Sequence, residues 1–531
     1  MTRRIAFGTL LAVLALTTGC MGGQRPATIP PKSALFEVML TTDPDTLDPA
    51  RSTDTNSGHV ILQLYEGLVT NNEQNQIAPA LAERWEVSDG GRTFTFHLRN
   101  AKFHTGRAVT AADVAYSLNR CLTDAESPVR QTYLGDIVGA DAVMNGHSTA
   151  ASGIRIIDDH TLAITIDAPK PFFLAKLTYP TAFVVDRETI QRLGTRWTEH
   201  GPVGTGPFAF VEWQHNQRVL LKRFDDYWGQ KAAVDFVEMH VTSDPTTRRS
   251  RYESGAAHVS DIQTSDLPDV RANPALAKQL KVFLRPGIFY IGMNGHRDPT
   301  FADPWVRLAF ALAIDRSVIT NTVLSNVTGQ ANSFIAPFIP GHDSKYPGTP
   351  YDPALARECL RRAGYGANKA FPSVELFYAS QYADVPRVIQ AVSQMLKENL
   401  QLDVKPTRLE WNTLLSRDRQ SDFGFYSLDW FADYLDPQNF VSVLLHSQSQ
   451  NNHVQFYNEA FDWLCDLGDI EQNPKQRAEW YRLADRVAVE AAPWIPIYYG
   501  YFLYLVSPQV EHYPYNLMGP MPYNTVRLKP K

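Results

Sequence analysis

The residues best suited to chemistry in this sequence form one short segment, Asp429 to Pro437, which contains three carboxylates among aromatic rings. The segment follows Ser421 to Tyr426, which has the character of a buried strand, and it ends at a proline, which stops regular structure. Carboxylates are costly to bury among aromatic side chains unless a cation pairs with them. The segment therefore predicts a site that accepts a positively charged group.

Catalytic and metal-binding motifs do not accompany this segment. The sequence contains no G-x-S-x-G, P-loop, H-E-x-x-H or kinase pattern. None of its 14 histidines forms a zinc-type i, i+4 pair with a nearby acid. We therefore expect a binding protein and not an enzyme, with no catalytic residue, no metal and no cofactor.

The elements that must position the segment alternate between helices and strands along the chain. Gly90 and Gly91 lie between two alternating runs and predict a hairpin, and Thr110 with Asp113 predicts a capped helix. Further helices are expected at 304–326, 352–363, 384–400 and 474–491, and strands at 35–40, 374–378, 402–406, 423–428 and 495–499. This alternation predicts an α/β fold.

Size and charge limit the class of protein. A chain of 531 residues is too long for one core, so two or three domains are expected. The net charge of −6 and the absence of a basic stretch argue against a nucleic-acid partner. Cys121, Cys359 and Cys465 show no metal-ligand spacing, and we expect them to be buried as small hydrophobic side chains.

The N-terminus predicts export. Arg3 and Arg4 precede an apolar run that is too short to span a bilayer comfortably, so residues 1–19 are expected to be a signal peptide. The residues before Cys20 resemble a bacterial lipoprotein processing site, which implies lipid on Cys20 and a membrane anchor. Thr17 stands where leucine is usual, so a plain secretory signal remains the alternative. Residues 20–33 are rich in glycine and proline and are expected to form a flexible tether.

Several segments, in one order along the chain, resemble a known family. They include "LYEGL", "PALAERWEVSDGGRTFTFHLR", "AKFHTG" and "TAADVAYSL", and later "GTGPF", "FDDYWG" and "VRLAFALAIDR". Together they resemble the peptide-binding class, family 5, of bacterial ABC-transporter solute-binding proteins, and oligopeptide-binding members most of all. The resemblance implies a two-lobed, type II-like periplasmic-binding-protein fold with an additional small inserted domain and a ligand cleft between the lobes. It implies lobe I at 34–74, 200–285 and 505–531, the inserted domain at 75–199, and lobe II at 286–504.

The resemblance also assigns roles within the site. In this family the aspartate of a W-x-x-D segment pairs with the ligand's N-terminal ammonium. The segment maps to Trp430 through Asp433 here, so Asp433 is the expected ammonium partner, and Trp430 and Ala432 are further ligand-binding candidates. Capping of the following turn is the alternative role for Asp433, and it suits Asp436 better. Asp429 has no assigned role.

Further candidates surround this segment. Trp411 maps to a ring that lines a side-chain pocket, with a core tryptophan as the alternative. Arg417 and Arg419 are candidates for the peptide carboxylate, with surface ion pairing as the alternative for each. Tyr133 and Tyr499 are expected to line the cleft.

The predicted function is that of an extracytoplasmic solute-binding lipoprotein that captures peptides, favouring oligopeptides, and delivers them to the permease of an ABC importer. We expect a monomer in the periplasm or at the cell surface. The alternatives are the same fold binding a dipeptide, a nickel chelate, haem or a sugar, or a peptide-binding signalling or chaperone module without transport.

Overall fold

The structure, a computed structural model, describes residues 27–29, 34–366, 369–379 and 384–529. Cys20, the predicted signal peptide and most of the predicted tether lie outside these residues. No helix in the described part of the chain is both long enough and apolar enough to span a membrane.

The helices and strands alternate as the sequence predicts. The helices are α1 (Thr55–Leu64), α2 (Ala111–Thr123), α3 (Arg130–Leu134), α4 (Ala140–Met144), α5 (Phe173–Lys176), α6 (Arg187–Leu193), α7 (Trp197–His200), α8 (Pro245–Glu253), α9 (Leu267–Ala272), α10 (Pro274–Gln279), α11 (Pro304–Leu312), α12 (Arg316–Val318), α13 (Pro353–Arg362), α14 (Asp384–Leu400), α15 (Trp411–Arg419), α16 (Ser442–Leu445), α17 (Glu459–Ile470) and α18 (Pro474–Ala491). The strands are β1 (Leu35–Leu40), β2 (Val69–Asn71), β3 (Ile77–Pro79), β4 (Ala82–Ser88), β5 (Thr93–Leu98), β6 (Ile154–Asp158), β7 (Thr161–Thr165), β8 (Phe208–Gln214), β9 (Arg218–Arg223), β10 (Phe236–Val241), β11 (Val259–Asp261), β12 (Leu280–Met293), β13 (Val374–Ala379), β14 (Val404–Leu409), β15 (Phe425–Phe431), β16 (Trp494–Val506), β17 (Val510–His512), β18 (Tyr515–Asn516), β19 (Gly519–Pro520) and β20 (Arg527–Leu528).

Most local predictions are confirmed, and one helix is wrong. Thr110 and Asp113 form the predicted capping box of α2, and β4 and β5 form the predicted antiparallel hairpin. The helix expected over 304–326 is interrupted after Leu312. Asp315 accepts hydrogen bonds from the backbone of Ser317 and starts a new turn, because a side-chain cap favours a helix start over continuation of the previous helix. That new turn continues as a π-helical segment, Ile319–Val323.

A ten-stranded sheet runs through both lobes in the order β14-β13-β15-β12-β16-β11-β1-β10-β9-β8. The two longest strands, β12 and β16, pair antiparallel along most of their length. Their register breaks between Leu284 and Ile288, opposite Tyr501 and Tyr499. By the lobe bounds that the resemblance implies, the chain crosses between the lobes close to this break, at 285–286 and again at 504–505. A break in a shared strand pair is a suitable place for a hinge, since a few residues there can absorb rotation.

A separate antiparallel sheet, β4-β5-β7-β6, belongs to the inserted domain. It packs on α2 around its own apolar core, which includes Phe96, Phe103 and Leu118. The remaining apolar cores lie along the ten-stranded sheet, one on the side of β1 and α1 and two around β12 and β15. Cys121, Cys359 and Cys465 are buried and free, as expected.

Candidate functional site

The segment after β15 is held by two backbone contacts. The Ala432 N–H donates to the carbonyl oxygen of Pro286 at 2.8 Å, which fixes the end of β15 against β12 at the register break. The Asp433 N–H donates to Asn439 Oδ1 at 3.0 Å, and Trp430 Nε1 donates to the same oxygen at 3.1 Å. Asn439 is fully buried, so it fixes Trp430 and Asp433 relative to each other.

Tyr133 brings the inserted domain to this segment. Its hydroxyl interacts with the Asp433 carboxylate and offsets part of the rise that burial causes in the pKa of that group. The ring is buried and stacks on Tyr179 with 4.0 Å between centroids and 6° between planes, and Tyr434 packs edge-on against it. The rigid stack holds the phenol toward Asp433, so two parts of the chain about 300 residues apart meet at one carboxylate.

The Asp433 carboxylate is electrostatically unbalanced. Burial raises its pKa to about 6, and the Tyr133 hydroxyl, the Asn439 side chain and the charge of Arg285 offset only part of that rise. Within the described residues no Lys, Arg or His forms an ion pair with Asp433 within 4.0 Å. At pH 7 the side chain is therefore a poorly solvated anion that lacks a direct counter-ion, which suits it to pair with a ligand ammonium.

The other two carboxylates of the segment have different surroundings. Asp436 accepts from the Gln438 N–H at 2.9 Å, which confirms the expected turn cap, and it also forms a two-pronged ion pair with buried Arg477 at 2.7 Å for each contact. Asp429 is half-buried and lies opposite Phe289 on β12. Its charge, together with that of Asp418, adds to the effect of burial in raising the pKa of Tyr290.

The two candidate arginines of α15, Arg417 and Arg419, lie in different surroundings. Arg417 Nε donates to Asp422 at 2.8 Å, and its guanidinium lies 4.3 Å from the centroid of the Phe423 ring. Arg419 is exposed at the end of the helix. Arg417 thus already has a carboxylate partner, which favours the surface-pairing interpretation over a ligand role.

The candidate rings differ in their freedom to contact a ligand. Trp411 is half-buried at the first turn of α15 and packs on the same apolar cluster as Trp430. Tyr499 is buried, and its hydroxyl accepts from the backbone N–H groups of Asn332 and Ser333 at 3.3 Å each. Tyr499 therefore fastens a loop to β16, and its hydroxyl is already occupied.

One cluster has the ligand types of a metal site. Glu37, Glu238 and His240 offer ligand atoms within 4.8 Å of one another on the sheet of lobe I. Arg218 donates to Glu238 at 2.9 Å, and an Arg251 nitrogen lies 3.1 Å from His240 Nε2. Arg218 already pairs with Glu238, and His240 lies 3.1 Å from Glu37, so the cluster is best explained as an ion-pair network on the sheet.

Sequence reasoning missed three members of the site. Asn439 lies three residues after the expected turn cap, and its position in that turn was the only available sign of its role. Tyr179 carries no local motif and is found only through its stack on Tyr133. Arg285 directly precedes Pro286 and Gly287, which the sequence identified only as a crossing point.

Comparisons with known proteins agree with this geometry. The family described as bacterial extracellular solute-binding proteins, family 5 Middle, matches residues 76–452. The periplasmic oligopeptide-binding protein OppA of Salmonella typhimurium is 30% identical over 482 residues, which cover 88% of this chain and 87% of the relative. The probable deoxycholate-binding periplasmic protein YgiS of Escherichia coli is 29% identical over 496 residues, covering 91% and 90%. The structure of the murein tripeptide binding protein MppA of Escherichia coli has a TM-score of 0.84 at 28% identity, covering 95% of this chain and 100% of that one.

These matches extend over nearly the whole chain and over both the inserted domain and the segment after β15. They also agree with the two-lobed fold and with an extracytoplasmic location. The relatives are binding proteins, which agrees with the absence of a catalytic motif. The chain belongs to family 5 of the bacterial extracellular solute-binding proteins.

Proposed function

We propose that this protein captures peptides through their N-terminal ammonium and delivers them to the permease of an ABC importer. The observation that carries the proposal is the half-buried, poorly solvated Asp433 carboxylate. Asn439 fixes its backbone, Tyr133 lies beside it, and it has no ion-pair partner within the described part of the chain. A ligand ammonium would supply the missing charge. The oligopeptide-binding OppA of Salmonella typhimurium and the murein tripeptide binding MppA of Escherichia coli support the same ligand class.

Capture requires the lobes to separate and close. Rotation at the register break of β12 and β16 would open the cleft, and a bridging peptide would then favour the closed form.

Affinity in such a cleft need not depend on peptide sequence. An extended peptide can pair through its backbone as an added strand, while its side chains enter hydrated pockets. We therefore propose oligopeptides as the principal ligands, with the ammonium end at Asp433. This orientation leaves Trp411 and Trp430 to contact side chains of the first residues.

Two measurements test the ligand class. The first releases ligand from the purified protein by denaturation and identifies it by mass spectrometry. The second titrates refolded, ligand-free protein with tri- and tetra-alanine and with deoxycholate. The proposal predicts peptides in the released fraction and saturable binding of the alanine peptides. Binding of deoxycholate with no binding of any peptide would refute it.

Export and anchoring form a separate part of the proposal. We infer that residues 1–19 are removed, that Cys20 carries lipid, and that the mature protein is a monomer beside its permease. Metabolic labelling with a radioactive fatty acid should mark the wild type and not Cys20→Ser, whereas equal labelling would contradict the anchor. Light scattering of the released Cys20→Ser protein should give one chain's mass of about 60 kDa.

A further inference from the structure

Arg285 is a buried cation at the boundary between the lobes. It lies on β12 at the register break, and only 8% of the residue is exposed. The centre of its guanidinium lies 4.8 Å from the centroid of the Phe431 ring and 5.0 Å from that of Phe502. The two rings thus form an aromatic seat for a planar cation.

The other buried arginines among the described residues are all compensated. Arg248 pairs with Asp261 at 2.7 Å, and Arg477 pairs with Asp436 at 2.7 Å. Arg316 donates to the carbonyl oxygens of Pro496 and Thr349.

Arg285 differs from these residues. In the described ranges no carboxylate forms an ion pair with it within 4.0 Å, and its Nε has no hydrogen-bond partner. Burying an unpaired charge costs more free energy than cation–π contacts return. Arg285 therefore needs an anionic partner, and the described part of the chain does not supply one.

The backbone places Arg285 beside the Asp433 segment, and the electrostatic effects of its charge agree with that placement. The positive charge adds to burial in lowering the pKa of His59, on α1, to about 4. The same charge offsets part of the rise that burial causes in the pKa of Asp433. Pro286, the next residue, accepts the hydrogen bond from Ala432 at 2.8 Å, so Arg285 and Asp433 are neighbours without a direct ion pair.

We propose that Arg285, packed against the rings of Phe431 and Phe502, binds a carboxylate of the ligand close to the ammonium that Asp433 binds. The inference rests on the proposed function and narrows its ligand class. It selects peptides in which a carboxylate lies near the N-terminus, either on an acidic side chain of the first residues or as the C-terminus of a dipeptide. A guanidinium is suited to this role, because it donates two parallel hydrogen bonds to a carboxylate.

Calorimetric titration of two matched peptide pairs tests the inference and separates the two carboxylate sources. The first pair is Glu-Ala-Ala-Ala and Gln-Ala-Ala-Ala, and the second is Ala-Ala and its C-terminal amide. We expect wild type to bind the carboxylate member of at least one pair tenfold or more tightly. The first pair reports a side chain, and the second reports the C-terminus.

Variants assign the preference to Arg285. Arg285→Met should abolish it, Arg285→Lys should retain part of it, and the exposed Arg192→Gln should retain all of it. Thermal unfolding of ligand-free Arg285→Met should occur no lower than that of wild type, because the variant removes an uncompensated buried charge. A preference that survives in Arg285→Met would overturn the inference, and so would a lower unfolding temperature.

The two levels of the proposal fail differently. If wild type binds both members of each pair equally, the carboxylate subsite is wrong and the ammonium site stands. If wild type binds none of the four peptides, both the peptide function and the subsite are overturned.

Discussion

Replacing Asp433 with asparagine should separate the cost of the buried carboxylate from its benefit to binding. A pKa of about 6 in place of the ordinary 3.8 corresponds to about 3 kcal/mol of folding free energy that the charged form loses on burial. Asparagine removes that charge and retains nearly the same shape. Ligand-free Asp433→Asn should therefore be more stable than wild type at pH 8, by up to about 3 kcal/mol.

The sign of the stability effect follows from the direction of the pKa change. Folded wild type takes up a proton at Asp433 near pH 6, whereas the unfolded chain does so only near pH 3.8. The stability advantage of Asp433→Asn should be full above pH 6 and should diminish as the pH falls toward 3.8. Urea unfolding at pH 8, 6 and 4 measures this trend.

Binding should change in the opposite direction. A hydrogen bond to a charged group contributes about 1.5–3 kcal/mol, so Asp433→Asn should weaken binding of a free-amine peptide by about 10- to 150-fold. Calorimetry on both proteins with tetra-alanine and with N-acetylated tetra-alanine completes a thermodynamic cycle that isolates the ammonium–carboxylate term. The acetylated peptide should bind wild type poorly and should lose little further affinity in the variant.

Two results would refute this reasoning. An equal loss for the free and acetylated peptides would mean that Asp433 does not recognise the ammonium. A ligand-free Asp433→Asn protein that is less stable than wild type at pH 8 would mean that the carboxylate is compensated within the fold, so no need for a ligand cation would remain.

Three further predictions concern the same region. Affinity for free-amine peptides should be highest between pH about 6 and 8. It should fall about tenfold per pH unit below 6, because Asp433 is then protonated, and above about 8, because the peptide amine is then neutral. A flat affinity profile from pH 4.5 to 9 would contradict this prediction. Tyr133→Phe should weaken peptide binding by about 0.5–1.5 kcal/mol and raise the pH midpoint of the acidic limb, because the carboxylate loses a donor; an unchanged midpoint in the calorimetric pH series argues against the contact. Asp436→Asn should lower the free energy of unfolding in urea by about 3–5 kcal/mol, because it leaves Arg477 buried without its partner. Asp343→Asn, which removes a more exposed ion pair with Arg486, should lower it by less than about 1 kcal/mol. Equal losses in the two variants would show that burial of the pair does not matter.

Most of the architecture could be predicted from the sequence, because local capping, turn and periodicity patterns agreed with the family resemblance. The capping box of Thr110 and Asp113, the Gly90–Gly91 hairpin and the helices at 353–362, 384–400 and 474–491 depend on contacts within a few residues. The error at 304–326 has a tertiary cause. Arg316 is drawn to the carbonyl oxygen of Pro496 at 2.6 Å, across 180 residues, while Asp315 caps a new turn beside it. Apolar periodicity cannot report such a contact.

The site was only partly accessible for the same reason. Asp433 and Trp430 lie in one motif, so resemblance identified them together. Tyr133 was expected from the sequence only as a ring that lines the cleft, and its partner Tyr179 acts only through a stack that the fold creates. The sequence also offered Arg417 and Arg419 as carboxylate partners because they lie near the motif. Proximity in sequence misleads here, since Asp422 already pairs with Arg417.

Asp433 and Arg285 are best understood together. Each is a buried or poorly solvated charge with no direct ion-pair partner in the described part of the chain. Arg285 lies on β12 and Asp433 just after β15, and the Ala432–Pro286 hydrogen bond holds the two segments in contact. If the two side chains paired directly, each would neutralise the other, and the cleft would have little electrostatic reason to bind anything. Their separation keeps both charges available, at a distance where the charge of Arg285 still acts on Asp433. A ligand with an ammonium and a carboxylate close together would compensate both at once and would bridge the lobes as it did so. Lobe closure would then depend on the charge pattern at one end of the ligand, while the rest of a peptide could vary.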